Sequence, residues 1–175
     1  MNSNNLLDYS LNYLEMMDLN PDAKIMLYTE LNNINDVNEL FIDCDKVIIL
    51  YLIASSNSGH WVCIFKCKDI IEFFSSYGVP PDAELSLLTS KKRAELNEKQ
   101  DRLLLLCKKY KNLIFWNKTI YQAENTQTCG CFVTHRLHNN KLNDIEYYNL
   151  YIKNKIKNPD IYVAKYCLKK LNKLN

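Results

Sequence analysis

Hydrophobic positions near the start of the chain recur at helical spacing. Leu6, Leu7, Leu11, Tyr13, Leu14 and Met17 predict a helix over 5–17, with Ser3 or Asn4 as its N-cap and Asn20-Pro21-Asp22 as its stop. Residues 23–42 carry short apolar stretches broken by Asn and Asp, which predict short irregular elements. The run Lys46–Ala54 is continuously apolar and rich in β-branched residues, the mark of a strand buried on both faces. Ser55–Gly59 predicts a turn, His60–Lys66 and Ile70–Phe74 two more strands, and Lys68-Asp69 the hairpin between them. Tyr77-Gly78-Val79-Pro80-Pro81 ends that segment. The period then turns helical over 82–110, with Asp82 as cap. Short strands are expected at 112–116 and 118–121. A polar loop, 125–128, leads into a helix starting near Cys129, and two terminal helices follow at 144–155 and 159–171. Helices, strands, helix, strands, helices in that order give an α+β domain rather than a regular βαβ alternation. One domain over 1–175 is expected, with a helical segment at about 1–44, a core at about 45–140 and C-terminal helices at about 141–175.

Composition narrows the class. A chain of 175 residues that is 47% hydrophobic can bury its own core. Twenty-two basic against 20 acidic residues leave +2, which excludes a disordered tail and a nucleic-acid binder working by net charge alone. The scarcity of Gly and Pro excludes collagen-like and linker-rich readings. No apolar run approaches ~18–20 residues, so no membrane helix is expected. Met1–Asn5 lacks the features of a secretory signal, so the protein is expected not to be secreted. Its seven cysteines are then expected to be thiols in a reducing compartment.

Three local features carry chemistry: Gly59-His60-Trp61 at a strand start, Gln122, and Cys129-Gly130 at a loop-to-helix junction. A cysteine at a helix N-terminus sits in the positive end of the dipole, which favours thiolate. A nearby histidine can pair with it and later protonate a leaving amine. A Gln amide, with the backbone N–H of the nucleophile, can hold an oxyanion, and the glycine beside the cysteine leaves room for a substrate backbone. Trp61 and Tyr77 are expected as walls of the site. The remaining candidates read as structural. Cys63-x3-Cys67 has no second pair at zinc spacing, so no metal site is expected. Cys131 reads as a buried small residue, and His135, Arg136 and His138 as facing solvent or a neighbouring helix. The C-terminal lysines (Lys153, Lys155, Lys157, Lys165, Lys169, Lys170, Lys173) read first as a solvated face and second as a contact to packaged DNA.

Together these residues resemble the adenovirus-type maturation cysteine proteases, and most of all the proteases of virophages and Polinton-like DNA elements. These belong with the ubiquitin-like-protein proteases in one fold group. Tyr28–Leu31, Leu40-Phe41, Ile48–Tyr51 and Gly59–Val62 match the pattern, and the likeness covers about residues 25–138. It implies a central mixed β-sheet flanked by helices, with the nucleophile at the N-terminus of a central helix. It also implies Cys129 as nucleophile, His60 as general base and acid, and Gln122 in the oxyanion hole. The family's acid falls at Ser75, which carries no charge. Three readings stay open: Ser75, directly or through water, orients His60; Glu72 or Asp69 reaches the site; or the enzyme is slow or inactive. The implied substrates are viral capsid and core precursors cut after small residues, Gly in particular, during virion maturation. The implied setting is the virion and the cytoplasm of the host cell. The expected protein is a monomer that requires no cofactor, with a peptide or DNA as a conceivable activator. Two other functions use the same features: a deconjugase of ubiquitin-like modifiers, and a weakly active capsid-associated binding protein.

Overall fold

The structure is a computed structural model, and it describes residues 3–55, 58–67, 70–98, 100–109 and 114–173. The expected hairpin at Lys68-Asp69 and the middle of the turn at 55–59 lie outside the described residues.

Helices α1 (Ser3–Leu7) and α2 (Tyr13–Leu19) replace the single helix predicted for 5–17. The break has a local cause. Asn12 accepts from the Glu15 N–H while the Glu15 carboxylate accepts from the Asn12 N–H, a reciprocal box that starts a new helix. Strand β1 (Lys24–Leu27) follows, then two 3₁₀ segments, Tyr28–Asn33 and Val37–Phe41. Strands β2 (Lys46–Ser55), β3 (Ser58–Cys67) and β4 (Ile70–Phe74) come next.

The helix expected over 82–110 is three pieces: a 3₁₀ segment Ala83–Leu87, α3 (Ser90–Glu95) and α4 (Arg102–Lys109). Asp82 does not cap it. Its backbone is left-handed at φ 65, and its carboxylate accepts instead from the Tyr51 hydroxyl at 2.8 Å and the Leu104 N–H at 2.7 Å. Strand β5 (Ile114–Trp116) is short, and 118–121 is loop rather than strand. Helices α5 (Cys129–His138), α6 (Asp144–Lys153) and α7 (Pro159–Lys170) close the chain.

The sheet is mixed, five-stranded, and ordered β1-β2-β3-β4-β5. Its outer pairs, β1–β2 and β4–β5, are parallel; β2–β3 and β3–β4 are antiparallel. Both faces are covered, which is why the strands read as unbroken apolar runs. On one face, Ile48, Cys63, Phe65 and Phe74 pack with Phe132 and Val133 of α5 and with α6 and α7 residues. On the other, Val47, Ile49, Val62, Ile64 and Phe73 pack with the 3₁₀ segments, Leu85 and α4. The protein is an α+β fold with a central mixed sheet flanked by helices.

Candidate active site

The site lies where β3 begins and β4 ends. Strand alternation puts His60 on the face of Val62 and Ile64, and Ser75 on the face of Ile71 and Phe73. His60 is buried. Tyr77, just past β4, stacks on its ring with centroids 4.4 Å apart and an interplanar angle of 18°. Gly78 makes that turn possible. Its φ of +67 is left-handed, and an added Cβ would lie 2.8 Å from the Thr119 carbonyl oxygen.

Ser75 faces His60, one of the readings left open by the resemblance, with Oγ 3.3 Å from His60 Nε2. The hydroxyl in turn donates to Glu84 Oε1 at 2.7 Å, and that oxygen lies 3.4 Å from His60 Nε2. Glu84 belongs to the 3₁₀ segment after the Pro80-Pro81 pair, and no local sequence pattern marks it as a partner of His60. Of the two other acidic candidates, the structure places only Glu72. Asp69 lies outside the described residues. Glu72 points to the opposite face, where Arg136 donates to both its oxygens at 2.8 and 2.7 Å. Because the Ser75 proton is committed to Glu84, its oxygen can only receive from His60 Nε2–H. The ring's other nitrogen, Nδ1, is then the basic one.

Helix α5 presents Cys129 as its first residue. The preceding Thr128 does not cap the helix with its side chain: its backbone is not in the extended N-cap conformation, and its hydroxyl donates to Asp160 of α7 at 2.5 Å. Asp160 also accepts from Thr126 Oγ1 at 2.8 Å and the Ala123 N–H at 3.1 Å, tying the loop before Cys129 to the α7 N-terminus. The first-turn N–H groups of α5 thus stay free for other acceptors. The N–H groups of Trp61, Gly130 and Cys129 favour the ionised form of the Cys129 sulfur.

Gln122 is fixed at both ends. Its Nε2 donates to the Thr126 carbonyl at 2.9 Å, and its Oε1 accepts from the Ser76 hydroxyl at 2.6 Å. A carbonyl only accepts, so the amide is oriented with its second N–H free. His60, Trp61, Tyr77, Gln122 and Cys129 line one cleft of about 1080 Å³, with Leu11, Tyr13, Ile25 and Leu27 adding to its wall. Trp61 anchors that wall by donating from Nε1 to the Leu11 carbonyl at 3.2 Å. Gly130 is not in the cleft lining. An added Cβ would meet Met16 Sδ and Trp61 Cδ1 at 3.1 Å and Leu11 Cβ at 3.2 Å. Close packing under the N-terminal segment, rather than room for substrate, accounts for this glycine.

Electrostatics differ from the expectation that the helix end favours thiolate. Burial pushes the Cys129 thiol up to about 11, with the three N–H groups pulling the other way. Burial also lowers His60 to about 3 and raises Glu84 to about 7. Between about pH 3 and 7 the three groups are therefore uncharged, and thiolate at Cys129 requires that a proton leave the sulfur.

The other sequence candidates have structural surroundings. Arg136 is fully buried, not solvent-facing, between the rings of Phe65 and Tyr147, each 4.8 Å away. Burial opposes its charge, yet the two Glu72 bonds raise its pKa. His135 is buried too, with Nδ1 2.9 Å from the Tyr147 hydroxyl. His138 lies between the Leu19 carbonyl and the Tyr166 hydroxyl. Cys63, Cys67 and Cys131 pack in the core, and all seven cysteines are free thiols. Among the described residues, no group of His, Cys, Asp or Glu could hold a metal ion, and no helix is long and apolar enough to cross a membrane.

No family model matches the chain. Over 127 residues, covering 71% of each chain, it is 35% identical to the uncharacterized protein V9 of Sputnik virophage. The chain belongs to the family of that virophage protein. Among solved structures, it is similar to the ASFV protease (TM-score 0.47, 12% identity, 94% of this chain and 69% of that one). ChlaDub1 from Chlamydia trachomatis is another neighbour (TM-score 0.48, 10% identity, 97% and 94%). So is the C-terminal protease domain of yeast Ulp1, solved with the SUMO ortholog Smt3 (TM-score 0.39, 14% identity, 98% and 77%).

Proposed function

We propose that the protein is a cysteine endopeptidase whose substrates are viral capsid and core precursors, cut after small residues during virion maturation. The observation that carries this reading is the convergence of Cys129, His60 and Gln122 in one cleft from three separate parts of the chain. His60 Nδ1 takes the proton of the Cys129 thiol, and the sulfur attacks the scissile carbonyl carbon. The oxyanion is held by the Cys129 N–H and the free N–H of Gln122. The imidazolium then protonates the leaving amine, leaving a thioester. Water, deprotonated by His60, attacks the thioester and releases the acid, and the proton returns to the sulfur.

A deconjugase of ubiquitin-like modifiers would use the same residues. The deciding experiment incubates capsid precursors, and separately a modifier–fluorophore conjugate, with wild type and Cys129→Ala under reducing conditions. Precursor cleavage by wild type alone is the expected result. Hydrolysis of the conjugate with intact precursors would replace this reading by the deconjugase. If wild type leaves both intact, the site is not hydrolytic and a binding role takes its place.

A further inference from the structure

The family's acid position holds Ser75, yet a carboxylate does reach His60, from a segment no strand pattern points to. We propose that Glu84 is the positioning residue for His60, acting through the Ser75 hydroxyl and directly on Nε2. This rests on the proposed function for its chemistry but is carried by its own geometry. Ser75 Oγ stands between the two groups, 3.3 Å from His60 Nε2 and 2.7 Å from Glu84 Oε1, while the carboxylate itself approaches the ring to 3.4 Å.

Both partners of the relay are held from behind. Ser75 N–H donates to Asn117 Oδ1 at 3.1 Å, and Asn117 Nδ2 donates back to the Ser75 carbonyl at 2.8 Å. The Glu84 segment is pinned by Asp82, which bridges Tyr51 of β2 and Leu104 of α4. Glu84 Oε2 is buried with no hydrogen-bond partner among the described residues. A buried carboxylate left half-satisfied is costly to retain for packing alone. It is accounted for if its charge is needed when a positive charge forms beside it.

That moment is proton transfer. The Cys129 proton moves to Nδ1, giving thiolate and imidazolium, while Nε2–H stays on the ring. Ionised Glu84 then faces a cation in a water-poor site, where the attraction is much stronger than in water. The same proton later leaves Nδ1 for the amine, so Glu84, ionised above about pH 7, neither gains nor loses a proton in the cycle. The titratable groups facing Glu84 are His60 of β3, Tyr51 of β2, Tyr77 of the turn, Asp82 of its own segment and Cys129 of α5. Only His60 gains positive charge.

The test reads Cys129 directly. Its alkylation by iodoacetamide is followed by mass spectrometry between about pH 5 and 9, beside hydrolysis of a Gly-ended fluorogenic peptide. A serine-protease triad loses about 10⁴-fold without its acid, but a thiol needs less help, so Glu84→Gln is expected to slow both reactions roughly 10–100-fold. KM should change little, and the rise of alkylation near neutral pH should vanish. Ser75→Ala, which removes the bridging hydroxyl, should also slow both reactions and guards against a folding defect in the first variant. Ser75→Asp in the Glu84→Gln background moves the carboxylate to the ring and should restore most of the lost rate. Wild-type alkylation across the pH range in Glu84→Gln, or no rescue in the double variant, overturns the proposal. If wild type hydrolyses no peptide while Cys129 alkylation follows this pattern, the protease reading falls and the Glu84 assignment stands.

Discussion

At the residue scale, the His60–Glu84 pair makes a pH prediction through its two opposite shifts. Glu84 is raised from 4.5 to about 7, so its stabilisation is present below pH 4.5 and is lost as pH rises through 7. His60 is lowered from 6.5 to about 3, so its stabilisation is present above pH 6.5 and is lost as pH falls through 3. Between 4.5 and 6.5 the folded pair holds one proton on Glu84, the unfolded pair holds one on His60, and the two slopes cancel. Glu84→Gln removes the folded-state proton and leaves the unfolded one. Urea melts of that variant should therefore gain up to about 1.4 kcal/mol per pH unit across this window, relative to wild type. Parallel pH dependences in the two proteins would contradict the raised Glu84 value. Glu84 was legible only as a carboxylate beside Leu85 in a short segment after two prolines. Nothing in the linear pattern aims it at His60, because the contact depends on how a 3₁₀ turn lands on the sheet.

At the scale of elements, two short connections decide the site. The turn after β4 depends on Gly78, whose φ of +67 and 2.8 Å clearance to the Thr119 carbonyl leave no place for a side chain. Gly78→Ala should cost about 2 kcal/mol in a denaturation midpoint and lower peptide turnover by moving Tyr77 off the His60 ring. The loop before α5 depends on Asp160. Asp160→Ala strands two hydroxyls and an N–H and should cost about 2–4 kcal/mol in the same measurement. It should also depress kcat more than KM, since the loop aligns Gln122 and Cys129. The strands β2, β3 and β4 and the start of α5 follow from sequence, because β-branched runs and a polar loop leading into Cys129-Gly130 are local signals. The breaks within 5–17 and 82–110 do not, because a capping box and a buried left-handed Asp82 interrupt periods that look continuous.

At the scale of the whole molecule, a buried ion pair joins the layers. Arg136 of α5 and Glu72 of β4 form a bidentate pair with both side chains essentially unexposed. Arg136 also donates to the Asn139 and Leu142 carbonyls at 2.8 Å, fastening the end of α5 to the chain that leads into α6. Arg136→Met alone leaves Glu72 without its partner and should cost about 3–5 kcal/mol in urea denaturation. Replacing both residues by Met should recover much of that loss, since two apolar groups need no desolvation compensation. A double variant as unstable as the single one would place the cost in the lost Arg136 bonds to the carbonyls instead.

Although β1 lies in a stretch expected to be irregular, the sequence by itself determined the α+β class, strands β2 to β5 of the central sheet, and Cys129, His60 and Gln122 as the chemical candidates. These rest on local periodicity and on residue types whose chemistry is intrinsic. Only the tertiary structure decided which carboxylate lies beside His60, why Gly130 is a glycine, and that Arg136 and His135 are core residues. Each of those depends on which surfaces of distant segments meet. The charge state of the site was decided there too, because burial outweighs the pull of the surrounding backbone N–H groups on the Cys129 thiol.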